Sequence, residues 1–483
     1  GPILSRCLKG GHLGLPRRED AMSTMLDNEE GRKLSSTCVE NRDELVAYLE
    51  SGCKPADKWV IGTEHEKFGF DIKTRQPIPY DGPAGVKAIF DGLITKYDWE
   101  PVLENGKMIA LYQDGQAISL EPGGQFELSG APLPTVHKTC GEVNTHLDQV
   151  KDIAGQLGIG FIGMGFHPTA SRADFDTMPK DRYGIMTAYM PKKGTMGLDM
   201  MYRTCTVQVN LDFGSEQDMA RKFRVGMALQ PLATALFANS PFKDGLLSDF
   251  ISLRANVWTD TDNERCGTLP FVFDDGFGFE QYADYALDVP MYFVYRDGKY
   301  IDASGQSFRD FLAGKLPALP GEKPTLKDWD NHLTTIFTEV RMKKYMEMRG
   351  ADGGPWRRIC ALPAFWVGLL YDGASLDAAM DLIRGWTVED VDNMRFAVTR
   401  EGFRTAAPGG RTLQDIAQSA LEISRAGLKA RGNIDTWGND ETHFLDTLQR
   451  SVDAGVTHAE ELVHLYKGAW AGNLDRVFDE FAY

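Results

Sequence analysis

The sequence predicts an α+β fold, in which helices surround an antiparallel sheet and a helical region follows it. Two segments, 108–130 and 289–305, are typical of β-hairpins because alternating runs flank an Asp-Gly turn. Strand and helix patterns interleave irregularly up to about residue 385, and beyond Trp386 the pattern is helical. Since hairpins pair their strands antiparallel, these observations favour α+β over a doubly wound parallel sheet.

Capping residues and hydrophobic periodicity predict the individual elements. Helices are predicted where a favourable N-cap or an apolar period of 3.6 residues occurs, at 41–52, 82–98, 135–158, 215–239 and beyond 386. Strands are predicted where apolar and polar residues alternate, at 59–71, 202–213, 343–354 and in the two hairpins. The apolar segment 359–371 is too short to span a membrane and contains a proline, so we expect it in the core.

Composition restricts the possible partners and cofactors. The 483 residues carry a net charge of −17, and so acidic a surface repels the phosphate backbone of nucleic acids. We therefore expect no nucleic-acid partner, and we expect no membrane partner because no apolar segment is long enough to span a bilayer. Seven cysteines form no C-x-x-C pair, which argues against a structural zinc site. We predict an N-terminal extension, tag or flexible segment (1–40), a catalytic region (41–385) and a helical C-terminal region packed on it (386–483).

Carboxylates cluster on two of the predicted strands. Glu64 and Glu66 share one face of their strand, about 7 Å apart. Glu121 precedes a Pro-Gly-Gly segment that can bend the chain, and Glu127 follows on the same hairpin. Such acids can be solvated edges, but several carboxylates on adjoining strands are also what Mg²⁺ needs.

A third strand has an unusual polar face. Its residues are Thr204, Thr206, Gln208, Asn210 and Asp212, without a lysine or a glutamate. This face is either ordinary exposed surface or the lining of a wet, ligand-binding cavity.

On the fourth strand Glu347 and Arg349 share a face. They form either a cross-strand ion pair or a site in which Glu347 binds metal and Arg349 holds a transferring phosphoryl group.

Two other motifs are set aside. The G-x-G-x-x-G pattern at 158–163 follows a helix and does not open one, so it does not predict a dinucleotide site. His65 points away from Glu64 and Glu66, and we expect it to be a packed core histidine.

Several long segments of the sequence, taken together, resemble the glutamate–cysteine ligases of the plant and proteobacterial type. The resemblance runs from about residue 40 to the C-terminus. Its segments, in order, are GTEHEKFGFD, LEPGGQFELSG, MGLDMMYRTCTVQVNLDF, MALQPLATALFANSP, VWTDTDNERCG, FEQYADYALDVPMYFVYR and YMEMRGADGGPWRRICALPAFWVGLLYD.

The resemblance implies both a fold and a reaction. The implied fold is the bent antiparallel sheet funnel of the glutamine-synthetase-like carboxylate–amine ligases. The implied reaction is the first step of glutathione biosynthesis, in which ATP activates the γ-carboxylate of L-glutamate as γ-glutamyl phosphate and the amine of L-cysteine attacks it. Two or three Mg²⁺ ions, feedback inhibition by glutathione and a homodimer are further implications.

The resemblance also implies roles for individual residues. The acidic metal-binding positions correspond to Glu64, Glu66, Glu121, Glu127 and Glu347. Gln208 and Asn210 match strand positions that face nucleotide and metal. Arg349 matches the arginine that stabilises the transferring phosphoryl group, and it acts with Glu66 in catalysis. The α-carboxylate of glutamate would be bound by Arg254, in a pocket lined by Trp258 and Tyr292.

Plant members of the family carry two disulfides, and this sequence can form only one of them. Cys140 and Cys360 match one pair, although reduced thiols stay an alternative. The other pair falls on Ala303 and Ala318. This loss favours a bacterial, cytoplasmic protein, with the plastid stroma as the alternative.

Three other functions stay open. A sister carboxylate–amine ligase would use a different amine. A non-catalytic nucleotide-binding module would lack some of the acidic positions, and none is missing here. A two-carboxylate hydrolase would work without ATP.

Overall fold

An antiparallel sheet forms the centre of the protein in the computed structural model, which describes residues 29–483. The predicted extension 1–40 lies outside the described residues as far as position 28. The strands are β1 Ile61–Asp71, β2 Glu100–Glu104, β3 Lys107–Gln113, β4 Gln116–Leu120, β5 Phe126–Ser129, β6 Ile159–Ile162, β7 Thr206–Leu211, β8 Phe242–Lys243, β9 Leu246–Leu247, β10 Cys266–Gly267, β11 Phe293–Arg296, β12 Lys299–Asp302, β13 Phe337–Thr338, β14 Val340–Met342, β15 Met346–Asp352, β16 Ala406–Ala407 and β17 Arg411–Thr412.

Helices surround this sheet and make up most of the C-terminal region. They are α1 Glu29–Ser36, α2 Arg42–Glu50, α3 Val86–Tyr97, α4 Val136–Gln156, α5 Asp181–Tyr189, α6 Gly197–Arg203, α7 Glu216–Leu236, α8 Leu253–Trp258, α9 Phe279–Asp288, α10 Phe308–Leu312, α11 Leu326–Leu333, α12 Trp356–Leu370, α13 Gly373–Leu382, α14 Val388–Glu401, α15 Leu413–Arg431, α16 Asp446–Ala454, α17 His458–Lys467 and α18 Asp475–Phe481.

The central sheet is antiparallel throughout, as predicted. Its strands follow the order β14–β15–β7–β1–β5–β4–β3–β2, and β6 pairs with the second half of β1. The β3–β4 hairpin turns at Asp114 and Gly115, with φ of 50° and 83°. Asp297 and Gly298 turn β11 into β12 in the same left-handed conformation, with φ of 51° and 75°. These values match the turns that connect two strands of right-handed twist, so both hairpin predictions are confirmed.

The two faces of β7 explain where the core and the cavity lie. Val207, Val209 and Leu211 are buried in the largest hydrophobic cluster, which includes residues of α7, α12 and α15. Thr206 and Gln208 point the other way, into a cavity. The sheet therefore separates an apolar helical layer from a polar site.

Two details differ from the sequence prediction. Residues 197–203 form α6, so the predicted strand 202–213 begins only at Thr206. Arg203 stabilises that helix by an ion pair with Asp199 one turn earlier, at 3.1 Å. In the C-terminal region a short β16–β17 hairpin interrupts the helices, because Gly409 and Gly410 adopt positive φ of 83° and 70°.

Helices of the C-terminal region share the main core with the sheet. Helices α12 and α15 cross so closely that a Cβ on Gly427 would lie 1.9 Å from the carbonyl oxygen of Gly368. The division at residues 385 and 386 stays a prediction. No single helix between residues 29 and 483 has the length and apolarity to cross a bilayer, although α12 and α13 together meet that test across a 91° bend.

Candidate active site

A large cavity opens on the polar face of the sheet. It encloses about 1080 Å³, including the part that is open to solvent. Its walls carry acidic, basic, amide and aromatic side chains, among them Glu64, Glu66, Glu121, Glu127, Arg182, Tyr183, Gln208, Arg254, Trp258, Phe293, Phe337, Arg341, Lys343 and Arg349. Charged and polar side chains that converge in one cavity are typical of a ligand-binding site.

Three carboxylates meet at one wall of the cavity. One oxygen from each of Glu66, Glu121 and Glu127 lies within 4.8 Å of the others. Glu66 and Glu127 are directly opposite each other on β1 and β5. Glu121 joins them because Glu121 N–H bonds to the carbonyl of Gln125 across a tight turn, in which Gly124 has φ of 86°. Adjacent like charges on paired strands are destabilising unless something neutralises them.

The electrostatics of this group favour a bound cation. Burial, followed by the charge of Glu121, raises the pKa of Glu66 to about 8. Burial and the charges of Glu121 and Glu64 raise the pKa of Glu127 well above its ordinary value. Three hard oxygen donors, two of which resist ionisation in the absence of a cation, fit Mg²⁺. The residues present therefore suit the predicted metal.

Glu64 and Glu347 lie beside a basic cluster. Glu64 lines the cavity opposite Gln208, and burial together with the Glu347 charge raises its pKa. Glu347 is fully buried, pairs with Arg341, and has Lys343 Nζ 3.5 Å from its Oε1. Burial alone would raise the pKa of Glu347, but Arg341 and Lys343 lower it to about 2. The structure thus brings Glu64 to the cavity and places Glu347 in an ion-pair cluster behind the wall.

Arg349 lies between strand β7 and the aromatic wall of the cavity. Its guanidinium donates to Gln208 Oε1 at 3.3 Å and lies 5.8 Å from the ring centre of Phe337. Burial and the charge of Arg341 lower the pKa of Arg349 to about 10, so it stays charged at neutral pH. Asn210 is opposite Glu347 on the neighbouring strand and is not among the described residues that form the cavity wall.

Helix α8 supplies Arg254 and Trp258. Ser252 caps the helix by accepting from Ala255 N–H. The Arg254 guanidinium donates to the carbonyl of Arg349 at 3.0 Å. The Trp258 ring packs against Phe337 with 5.8 Å between centroids, and its Nε1 is buried without a hydrogen-bond partner among the described residues. Both side chains line the cavity.

The structure places Tyr292 behind the cavity wall. Its ring packs 3.9 Å from the guanidinium carbon of Arg265 and 5.3 Å from the ring of Tyr189. Its neighbour Phe293 lines the cavity instead. His65 is a core histidine as predicted, fully buried beside Lys67 and His146 on the far side of β1.

Three basic residues of the cavity wall were not predicted. Arg341 and Lys343 alternate on and after β14, a period of two that could have indicated a shared face. Arg182 stands on α5, where it lies over Phe293 and donates to Tyr300 Oη at 2.9 Å. No local pattern distinguishes it from a surface arginine.

The predicted disulfide between Cys140 and Cys360 is confirmed. It joins α4 to α12 with 5.5 Å between the Cα atoms. Among the described cysteines, Cys53, Cys205 and Cys266 are free thiols, and Cys38 is disulfide-bonded.

Comparison with known proteins supports one family. The model of glutamate–cysteine ligase family 2 (GCS2) matches residues 60–480. Chloroplastic glutamate–cysteine ligases from Medicago truncatula and Arabidopsis thaliana are each 58% identical over 92% of this chain, covering 85% and 83% of their own length. A crystal structure of glutamate–cysteine ligase from Francisella tularensis in complex with AMP shares the fold, with a TM-score of 0.53 and 14% identity over 88% of this chain and 89% of that one.

These relatives correct one prediction. The expectation of a bacterial, cytoplasmic protein is wrong, because the relatives at 58% identity are chloroplastic plant enzymes. The alanines at positions 303 and 318, one buried in the main core and one packed against it, indicated origin poorly, since two positions say little about a whole lineage.

Proposed function

Since this chain belongs to glutamate–cysteine ligase family 2, we propose that it joins the γ-carboxylate of L-glutamate to the amine of L-cysteine, with cleavage of ATP, in glutathione biosynthesis. The observation that carries this function is the 58% identity over 92% of the chain to glutamate–cysteine ligases. By the same likeness, we propose that the protein works in the plastid.

The chemistry requires activation of an unreactive acid. An oxygen of the γ-carboxylate attacks the γ-phosphorus of ATP, and ADP leaves. The cysteine nitrogen, after loss of a proton, then attacks the carbonyl carbon of γ-glutamyl phosphate, and inorganic phosphate leaves with the bonding electron pair. Both steps bring anions together, so the protein's main tasks are alignment and neutralisation of charge.

Glu66, Glu121 and Glu127 are proposed to hold Mg²⁺. Their oxygens lie close enough for one ion, and burial together with the neighbouring carboxylates raises the pKa values of Glu66 and Glu127, which supports a bound cation. Bound Mg²⁺ would supply positive charge beside the triphosphate and the γ-carboxylate. We also propose Glu64 as a ligand of Mg²⁺. Glu347 is proposed as a ligand from the family likeness alone. We propose two or three ions in total.

Arg349 and Gln208 are proposed to face the transferring phosphoryl group. The guanidinium is charged, lines the cavity and is held by Gln208. A planar fork of N–H donors fits phosphate oxygens in two places at once. Arg349 would thus stabilise charge as the phosphoryl group moves, and Asn210 would support the nucleotide side of the site.

Arg254 and Trp258 are proposed to bind glutamate. The guanidinium of Arg254 can pair with the α-carboxylate, and the unpartnered Nε1 of Trp258 can donate a further hydrogen bond. Tyr292 would act from behind the wall, through Arg265 and Tyr189.

Regulation and assembly are proposed from the family likeness. Glutathione would inhibit the enzyme by feedback, and two copies would form a homodimer. Residues 41–385 would form the catalytic region, and 386–483 a helical region packed on it.

An assay of ADP release tests the proposed reaction. Purified protein with ATP, Mg²⁺, L-glutamate and a panel of amines should release ADP fastest with L-cysteine, and mass spectrometry should detect γ-glutamylcysteine. Preference for another amine would point to a sister ligase. ADP release without glutamate, or amide hydrolysis without ATP, would contradict the proposal.

Variants in the same assay test the residue roles. Glu66→Gln and Arg349→Ala should each lower kcat by about 10²- to 10³-fold, since each removes charge that acts on the transferring group. Arg349→Lys should recover part of the loss, because it keeps the charge without the fork. Glu422→Gln, an exposed carboxylate on α15, is the matched control. Near-normal turnover in Glu66→Gln or Arg349→Ala would refute the assignment.

A further inference from the structure

The carboxylate of Asp352 connects three segments of the chain at the back of the cavity. Asp352 is the last residue of β15 and is 1% exposed. It accepts hydrogen bonds from Asn239 N–H at 2.8 Å, Ser240 Oγ at 2.7 Å and Ser252 Oγ at 2.9 Å. Asn239 and Ser240 follow α7, and Ser252 is the N-cap of α8.

The same cluster holds Arg254 by its backbone and its side chain. Arg254 N–H donates to Ser240 Oγ at 3.2 Å. Its guanidinium lies 3.9 Å from Asp352 Oδ1 and donates to the carbonyl of Arg349 at 3.0 Å. The direction of this guanidinium therefore depends on a hydrogen bond to one carbonyl and an ion pair with one carboxylate, both on strand β15.

We propose that Asp352 is a positioning residue, which fixes the Arg254 guanidinium in the direction needed to bind the α-carboxylate of the amino-acid substrate. This inference rests on the proposed function, in which that substrate is glutamate. Asp352 itself does not line the cavity, as far as the described residues form it, and acts only through Arg254 and the start of α8.

The chemistry of the cluster requires an acceptor at this position. All of the groups around the carboxylate are donors: one backbone N–H, two hydroxyls and a guanidinium. A carboxylate only accepts, whereas an asparagine must turn its NH₂ group toward at least one of these donors. Little room exists for adjustment, because a Cβ on Gly165 would lie 2.4 Å from Asp352 Cγ.

A pure charge effect would have the opposite sign. Asp352 partly neutralises Arg254, so loss of its charge alone would strengthen the attraction of Arg254 for a substrate carboxylate. Loss of the fixed orientation of the Arg254 guanidinium would weaken this attraction, because a displaced guanidinium no longer meets the substrate carboxylate in a bidentate geometry. The sign of the change in KM for glutamate therefore separates the two effects.

Steady-state kinetics of Asp352→Asn test the proposal. We expect KM for glutamate to rise about tenfold or more, with KM for ATP and kcat at saturating glutamate changed less than about threefold. The advantage of glutamate over 4-aminobutanoate, which lacks the α-carboxylate, should shrink as it does in Arg254→Gln. Asp415→Asn is the control, because Asp415 also accepts from a cap, Thr412 N–H at 2.9 Å, on the distant helix α15.

A second variant keeps the test decisive if Asp352→Asn does not fold. Ser240→Ala removes one donor to Asp352 and the acceptor of Arg254 N–H, and should raise KM for glutamate about threefold with the same selectivity. An unchanged or lowered KM for glutamate in the folded variants would overturn the proposal. If the wild-type protein released no ADP with glutamate and cysteine, the proposed function would fail instead, so the two failures are distinguishable.

Discussion

The carboxylates of Glu66, Glu121 and Glu127 meet because two paired strands and the turn after Glu121 bring them to one wall of the cavity. The spacing of Glu64 and Glu66 predicted that they share a strand face. The Pro-Gly-Gly segment after Glu121 predicted that the chain bends there. The pairing of Glu66 with Glu127 across two strands depends on register, which no local pattern specifies. The sequence placed Glu347 and Arg349 on one strand face, but this alternation could not reveal that Arg341 pairs with Glu347.

The clustered carboxylates should destabilise the metal-free protein through their mutual repulsion, and they should bind Mg²⁺. Glu127→Gln removes one of three repelling groups, so at pH 8 without Mg²⁺ its Tm should exceed that of the wild type by about 1–3 °C. Mg²⁺ should raise the wild-type Tm, because it binds only the folded state, and should raise the variant Tm far less. Differential scanning fluorimetry over a Mg²⁺ series would measure both effects, with Glu422→Gln as control. Equal Mg²⁺ responses in the two proteins would contradict the metal assignment.

Glu142 should make stability depend on pH. Burial raises its pKa from 4.5 to about 7, although Ala131 N–H donates to it at 2.9 Å. Between these two values the folded state binds the proton more tightly, so the free energy of unfolding falls as pH rises, by up to about 3 kcal/mol above pH 7. Glu142→Gln should therefore be about 1–3 kcal/mol more stable than the wild type at pH 8 and nearly equal at pH 4.5. Urea denaturation at both pH values measures this difference, and a variant less stable at pH 8 would refute it.

Among the elements, those with local signals were predicted well. The Asp-Gly hairpins and the capped helices α2, α4 and α7 lie where their turn and cap residues put them. The start of β7 was predicted four residues too early. The alternation of apolar and polar residues matches a strand there, but it does not show that Arg203 forms its contacts within a helical turn. The family resemblance assigned Tyr292 to the pocket, but tertiary packing determines which residue near that hairpin meets the cavity, and the structure places Phe293 there.

The disulfide between α4 and α12 should stabilise the packing of these two helices. It closes a loop of 220 residues, for which loss of chain entropy in the unfolded state predicts about 5 kcal/mol, as an upper value. The double variant Cys140→Ala, Cys360→Ala should have a clearly lower Tm, and reduction of the wild type should lower the Tm at least as much, because it also opens the disulfide of Cys38. A Cys53→Ala variant, which removes a free thiol, is the control. Identical melting of oxidised, reduced and double-variant proteins would show that the bridge adds no stability.

At the scale of the whole molecule, function depends on which segments the sheet brings together. The cavity wall combines β1, the Glu121 turn, β5, β7, α8 and β15, which span almost three hundred positions of the chain. Composition indicated only an acidic globular protein, and polar strand faces indicated only a wet cavity. The reaction was inferred from the long ordered segments shared with one family. Local sequence patterns could not predict it, because a reaction depends on residues that are distant in the chain. The cell compartment was mispredicted for a related reason, since no contact in the fold depends on it.

The transfer of heavy oxygen from glutamate to phosphate tests the central claim most directly. L-Glutamate labelled with ¹⁸O in both γ-carboxylate oxygens is incubated with the protein, ATP, Mg²⁺ and L-cysteine, and the inorganic phosphate is examined by mass spectrometry. If ATP activates the γ-carboxylate as an acyl phosphate, each phosphate released carries one ¹⁸O atom, and formation of γ-glutamylcysteine matches it one to one. Unlabelled phosphate alongside the same product would contradict the account.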